Sequence, residues 1–304
     1  MKKTWGITKL IARNALLLPR CTSVRTDNFL NYINALPPSD YIIYKASIKR
    51  KNKIRAFFAC KYIVGQGIEI GAQGSPLQVD RNKTTVTYVD RISNEQTTTL
   101  HNLSAQELTS INILAEADNL DMFRNESLDF VIANHLLEHI PNPVAAIEEW
   151  LRILRNNGVL YLSLPNYCCN EYDFQRRPAS LDHIIDDFQN KKKDKKEEHW
   201  KEFVEIVEGF PRDSLDFSKC LHEQYRLKDN RIHMHVFNKE LIDDIIEYIK
   251  ANLYSNLHVI DFFSFKYSFE IIVILRKQQL TTSTSGLEIL ARLARNVRLL
   301  AIGK

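Results

Sequence analysis

Three histidines in a polar stretch, His183, His233 and His235, are the side chains of this sequence most suited to moving a proton. An imidazole titrates near neutral pH and can take a proton from a hydroxyl group. In "SLDHIIDDF", Ser180 starts a predicted helix whose apolar stripe is Leu181, Ile184, Ile185 and Phe188, which groups His183, Asp186 and Asp187 on the opposite side. In "HMH", alternation puts His233 and His235 on one side of an extended segment. Any of the three is a candidate base. An equal alternative has them binding a divalent metal with Asp186 or Asp187, or only orienting an acceptor; the spacing by itself assigns no metal site.

A second set of polar groups follows predicted strands. In "GIEIGAQGSP" (67–76), the carboxylate of Glu69 lies near the carboxyl end of an apolar segment, ahead of a glycine turn that lets backbone approach a ligand. "TTVTYVD" (84–90) ends in Asp90 and "INILAEAD" (111–118) in Asp118. Acids after strands often cap loops, but matching placement at successive strand ends points to a shared ligand. A pyrophosphate seat needs a long helix directly after the glycines. Only residues 75–83, Pro76 among them, precede the second strand, so dinucleotide binding is disfavoured.

These groups need a frame to hold them. "LDFVIAN" (128–134) predicts a fourth strand, and "NPVAAIEEWLRILRN" a helix with Asn142 as N-cap, Pro143 at its first position and Asn157-Gly158 as its end. Val144, Ile147, Leu151 and Leu154 are its buried stripe, and "VLYLSLP" is a fifth strand. Residues 166–236 form a polar insert, in which "KKKDKKEEHWKE" (191–202) reads as a solvated helix. After Asn238 come the helix "KELIDDIIEYIKAN" and two strands too close together for a crossover, hence antiparallel. The alternation predicts an α/β fold with a mostly parallel sheet covered on both faces by helices.

Taken in order, "GIEIGAQGSP", "YVD", the long block from "EADNLDMF" through "NHLLEHIPNP" to "LRNNGVLYLSLPN", and the closing hairpin resemble the type 11 group of class I methyltransferases that use S-adenosylmethionine (SAM). The resemblance spans residues 62–277 and implies a Rossmann-like seven-stranded sheet with an antiparallel last strand. It implies that Glu69 and Gly71 line the methionine moiety of SAM and that Gly74, displaced by one, also binds the cofactor, with Gln73 and Ser75 at the family's later glycine positions. It implies Asp90 on the ribose hydroxyls, Asp118 and Asn119 on the adenine, and Asn134 and His135 beside the methionine end. His139 is expected to be structural. Tyr172-Asp173, Arg177-Pro178, Ser180, His183 and Asp186 resemble a recurrent "FDxxRPxTxxEHxxxD" segment of methyltransferases associated with bacterial surface-polysaccharide loci. That implies O-methylation of a sugar, nucleotide sugar or lipid-linked glycan.

The chain has 304 residues and a net charge of +4, but residues 1–62 hold 13 Lys/Arg against two acids, so the first fifth carries +11 and the remainder −7. This basic, helical extension, with the methyltransferase region at 63–277 and an amphipathic basic tail at 278–304, suits contact with an anionic membrane surface. A nucleic-acid substrate is the second reading, weakened because the (D/N)PP(Y/F) motif of nucleic-acid N-methylating enzymes is missing from the end of the fourth strand. A non-catalytic scaffold is the third. Five irregularly spaced cysteines predict reduced thiols. No apolar run approaches the roughly 20 residues of a membrane span, which predicts a cytoplasmic protein.

Overall fold

A computed structural model describes residues 19–101, 105–190, 196–227 and 232–278. The amphipathic tail expected after residue 278 and the first 18 residues lie outside the described residues.

Seven strands form one sheet: β1 (Gly65–Ile70), β2 (Thr84–Asp90), β3 (Ile113–Leu114), β4 (Leu128–Asn134), β5 (Leu154–Pro165), β6 (Leu257–Phe263) and β7 (Glu270–Lys277), in the order β3-β2-β1-β4-β5-β7-β6. β1 to β5 run parallel, whereas β7 is antiparallel to both β5 and β6. The seven-stranded, mostly parallel sheet with an antiparallel β7 is the one the resemblance implied. Its central strands are buried on both faces and so read as continuous apolar runs: Phe130, Val131, Ile132 and Ala133 of β4 are fully buried.

Eight α-helices are described. α1 (Pro19–Asn34) and α2 (Pro38–Tyr62) precede the sheet, α3 (Asn94–His101) follows β2, and α4 (Pro143–Ile153) joins β4 to β5. The insert after β5 contains α5 (Leu181–Asn190), α6 (Lys196–Glu202) and α7 (Leu215–Leu227); α8 (Lys239–Asn252) leads to the hairpin β6–β7. α4 starts as its sequence dictates, with the Asn142 side chain accepting from Ala145 N at 3.0 Å and Pro143 where no amide hydrogen is needed. Its buried face, with Val144, Ile147, Trp150 and Leu151, packs in one core with Ile68, Val131 and Leu160 from the sheet and Ile245 and Ile249 of α8. On the opposite face, Phe58 and Ala59 of α2 meet Phe130, Ile132, Tyr161, Ile272 and Ile274. The basic N-terminal helix therefore covers sheet.

Three expectations change. The third strand is confined to Ile113–Leu114, the two residues in register with Val89 and Asp90 at the end of β2; Asp118 lies in a turn beyond it. α4 ends at Ile153 instead of near Asn157, and the chain enters β5 directly at Leu154, which pairs with Leu128. Asn157, at φ 66°, sits in the bulge that follows, before regular pairing resumes at Phe130 and Val159. Within the charged run, His199 and Trp200 are buried instead of solvated, since Trp200 joins Phe203, Val207, Ile232 and Met234 in a small separate core of the insert.

Gly67, in the middle of β1, has no room for a side chain: a Cβ there would stand 2.2 Å from the carbonyl oxygen of Phe130 on β4. Gly67→Ala should force the two central strands apart and destabilise the protein by about 3 kcal/mol. Urea unfolding checks this, with a lowered midpoint at unchanged slope as the expected result.

Candidate active site and cofactor cradle

The carboxyl ends of β1, β2 and β4 place three polar side chains side by side. Register sets this: Glu69 pairs with Ile132 and Ile70 with Ala133, so Asn134 stands one step past the end of β1, while Val89 beside Ile70 carries the chain to Asp90. Asn134 Nδ2 donates to Glu69 Oε1 at 3.2 Å, and Ser163 Oγ on β5 donates to Asn134 Oδ1 at 3.0 Å. Both oxygens of Glu69 also accept from Leu77 N, at 2.9 and 3.1 Å, which folds the glycine turn back over the carboxylate. Burial nevertheless outweighs these hydrogen bonds and pushes the Glu69 carboxyl up to about 7.

The turn itself departs from the expected glycine pattern. Gly71 is left-handed at φ 69°, and a Cβ there would press to 3.2 Å of Leu136. The second left-handed position falls on Gln73, at φ 43°, the place of the family's next glycine, whereas Gly74 is exposed and has no positive φ. Gly74 therefore needs no glycine for its own conformation.

Asp90 is buried at the end of β2. Its Oδ1 accepts from Ile92 N at 3.3 Å, and its Oδ2 has no hydrogen-bond partner among the described residues. A buried carboxylate oxygen in that state calls for a donor, which a ribose hydroxyl would supply. Asp118 and Asn119 are exposed in a loop that is itself pinned: Trp150 Nε1 donates to Ala117 O, Leu120 N to Glu149, and Arg152 to Leu120 O and Phe123 O. Together the unpartnered Asp90 oxygen, the bare backbone at Gly71 and the buried Glu69 fit a cationic nucleoside better than a phosphate.

His135, left-handed at φ 48°, turns from β4 toward Glu270 at the start of β7, with Nε2 at 3.2 Å from Oε2. Arg55 of α2 grips the same carboxylate through Nε at 2.8 Å and Nη2 at 2.6 Å. Burial would raise the Glu270 carboxyl, but the His135 hydrogen bond and the Arg55 charge prevail and bring it down to about 2. Burial keeps His135 itself neutral, with its proton affinity lowered. Sequence reasoning missed Arg55 and Glu270; the signal was an arginine directly before the apolar run Ala56-Phe57-Phe58 and a lone acid opening an apolar strand.

The three candidate histidines part company. The segment bends at Ile232 and again at Met234 and His235, so that His233 and His235 do not act from one side as alternation predicted. His233 Nδ1 meets Asp173 Oδ2 at 2.6 Å. Arg176 secures that acid through Oδ1 at 3.1 Å and also donates to the carbonyls of His233 and Met234. Burial opposes protonation of His233, yet the Asp173 charge and hydrogen bond win and raise its proton affinity. Beside it are His139, pushed down to about 3 by burial, and Glu138, pushed up to about 7 by burial, whose two carboxyl oxygens have no hydrogen-bond partner among the described residues. Glu138 Oε1 stands 3.9 Å from both His135 Nδ1 and His139 Nε2 and so links this cluster to the end of β4.

His183 and His235 belong to another group, with Asp187 and His199, and its three histidines stand at the wall of a cavity of about 540 Å³ that Arg177 and Arg212 also line. Asp186 is outside it, bonded to Asn190. The ligand set that spacing could not assign is thus present as two clusters of ligand-type groups, the second being Glu138, His139 and His233.

Residues 65–162 match the family model described as methyltransferase domain. The chain carries a SAM-dependent methyltransferase domain, and SAM is the methyl donor of this enzyme. No curated protein matches the chain. Among solved structures, it is similar to the CurJ carbon methyltransferase (11% identity, 88% of this chain and 67% of that one, TM-score 0.42). It is also similar to CrArsM, an arsenic(III) SAM methyltransferase of Chlamydomonas reinhardtii (11% identity, 84% and 74%, TM-score 0.36), and to the YcgJ protein of Bacillus subtilis (13% identity, 77% and 99%, TM-score 0.33).

A Glu69 that faces the methyl donor would make binding of that cation proton-linked. The carboxylate form attracts the cation, and in the free methyltransferase that form prevails only above about pH 7. SAM affinity should therefore fall as pH drops from 7 toward 5, by up to about tenfold per unit, and level off at higher pH. Glu69→Gln should bind more weakly and lose this dependence. Calorimetric titration at constant ionic strength measures both, and a wild-type affinity unchanged from pH 5 to 8 would overturn the assignment.

Proposed function

We propose that the methyltransferase acts on a hydroxyl oxygen of a sugar, nucleotide sugar or lipid-linked glycan, with His233 accepting the hydroxyl proton. The observation that carries this reading is the 2.6 Å pair of Asp173 and His233 inside the insert, at the carboxyl edge of the sheet. When bound, SAM supplies a methyl group already activated on a sulfonium. A hydroxyl acceptor must still lose a proton, so a positioned base is needed.

In this geometry Asp173 takes the Nδ1–H of His233, which leaves Nε2 as the proton acceptor. Arg176 holds the acid from behind, so the imidazole is kept in one orientation before any acceptor arrives. His139 is locked through Nδ1 to Ile232 O at 2.9 Å and held neutral, which suits a positioning role. The unpartnered Glu138 carboxyl is an acceptor for further hydroxyls, in keeping with a polyhydroxylated substrate.

The arginines that line the insert cavity support an anionic acceptor. Arg177 and Arg212 are suited to a phosphate of a nucleotide sugar or lipid-linked precursor. Arg50 and Lys53 beside exposed Phe57 on α2 support contact of the same protein with an anionic bilayer. Among the described residues no helix is long and apolar enough to cross a membrane. Part of the charge that suggested nucleic acid is otherwise engaged: Arg55 is bound to Glu270, Lys61 to Asp261, and Lys51 lies over Phe269.

His233→Gln should lower kcat about 10²- to 10⁴-fold while leaving the affinity for SAM within a few-fold of wild type, and Asp173→Asn should lower it less. The test is isotopically labelled SAM with a panel of nucleotide sugars and glycans, read by mass spectrometry. Methylation confined to nucleic acid or to carbon, or full activity of His233→Gln, would overturn the reading.

A further inference from the structure

We propose that His183, Asp187, His199 and His235 form a binding site for a divalent transition metal of the zinc class, built into the insert and facing its cavity.

The four residues come from three separate pieces of chain: His183 and Asp187 from successive turns of α5, His199 from α6, and His235 from the bend before α8. Their ligand atoms all lie within 4.8 Å of one another. Three imidazole nitrogens, each Nε2, surround one carboxylate oxygen, Asp187 Oδ2, at 3.3 Å for His183, 3.1 Å for His235 and 4.0 Å for His199. Zinc–ligand bonds of about 2.0–2.1 Å in a tetrahedron imply ligand–ligand edges of about 3.3 Å. The three separations from Asp187 Oδ2 bracket that value, His199 being the one that lies beyond it.

Hydrogen bonding alone accounts poorly for the group. At 4.0 Å His199 Nε2 is beyond hydrogen-bonding range of the carboxylate, yet its side chain is 6% exposed and its ring centroid sits 4.6 Å from that of His235. Bringing three imidazoles this close costs desolvation and side-chain entropy, which a shared cation repays. Three neutral nitrogens and one carboxylate form a borderline donor set that suits zinc and its neighbours over magnesium or calcium. His183, His199 and His235 line the 540 Å³ cavity, whereas Asp187 does not, so the ion would have its acid behind it and the acceptor cavity in front. The second cluster, Glu138, His139 and His233, brings together three ligand-type side chains against the four of the first.

The inference does not depend on the choice of acceptor, and its test needs no turnover. The full-length protein, stripped with a chelator, is titrated with zinc against a chromophoric competitor, and separately with cobalt(II), whose visible absorption reports a tetrahedral site. One equivalent should bind tightly. His183→Ala, a substitution on a part-exposed helix face, should weaken binding by about a hundredfold or more and abolish the tetrahedral cobalt spectrum, while SAM binding shows that the fold is intact. Asp187→Asn is the second variant and should behave likewise. Wild-type protein that binds SAM but neither metal, or a His183→Ala protein with wild-type zinc affinity and cobalt spectrum, would overturn the proposal.

Discussion

The buried contact between Arg55 and Glu270 ties the parts of this protein together. Arg55 belongs to a helix that precedes the sheet, and Glu270 opens the antiparallel strand that ends it, 215 residues later. Taking both charges out of water is costly, and the pair is tolerable only because the guanidinium meets the carboxylate through two nitrogens and His135 adds a third donor. Geometry is what this arrangement secures. A shift of α2, of β7 or of the turn after β4 would leave an ion unpaired in a dry interior, so the three are coupled. The left-handed conformation of His135 persists inside that coupling. By this route a basic N-terminal segment, which by composition alone is a detachable extension, becomes part of the floor beneath the cofactor edge.

The insert is organised by different physics. Among the described residues its own apolar cores are small, one around Trp200, Phe203 and Met234 and another around Val204, Phe217 and Cys220, while Ile184 joins the main core and Cys168 and Cys169 pack with Phe29 and Tyr44 of the N-terminal helices. Between them it buries Asp173, Arg176, Asp187, His199, His233 and His235. Where its apolar cores are this small, a polar network helps to specify one arrangement, provided each member is satisfied. Arg176 contributes to both requirements, as it neutralises Asp173 and occupies two backbone carbonyls that would otherwise be buried bare.

What could be read from the sequence divides along the same line. Strand ends carrying Glu69, Asp90 and Asn134, the capped start of α4 and the antiparallel final hairpin were legible because each depends on periodicity and turn chemistry within a few residues. Asp173 with His233, 60 residues apart, and Arg55 with Glu270 were not, since no local pattern says which acid a distant base will meet. His199 was hidden most effectively. It lies in a run of lysines and glutamates whose composition signals water, and only the fold of the insert turns that one face inward.

The turn at Gln73 shows how the two regimes meet. A left-handed backbone costs a non-glycine residue about 1–2 kcal/mol, so a glutamine at φ 43° must be held there by its surroundings. The hold is visible: Gln73 O accepts from Thr109 N, Ser75 N closes the turn on Ala72 O, and Leu77 N is fastened to the Glu69 carboxylate. Because the last of these bonds uses the same carboxylate that Asn134 orients, the shape of the glycine turn and the charge of Glu69 are not independent. Whatever changes the ionisation of Glu69 also changes the strength of the bond that shapes the loop beside it. The cofactor edge is therefore a coupled unit in which electrostatics and backbone conformation respond together, despite having fewer glycines than its family pattern prescribes.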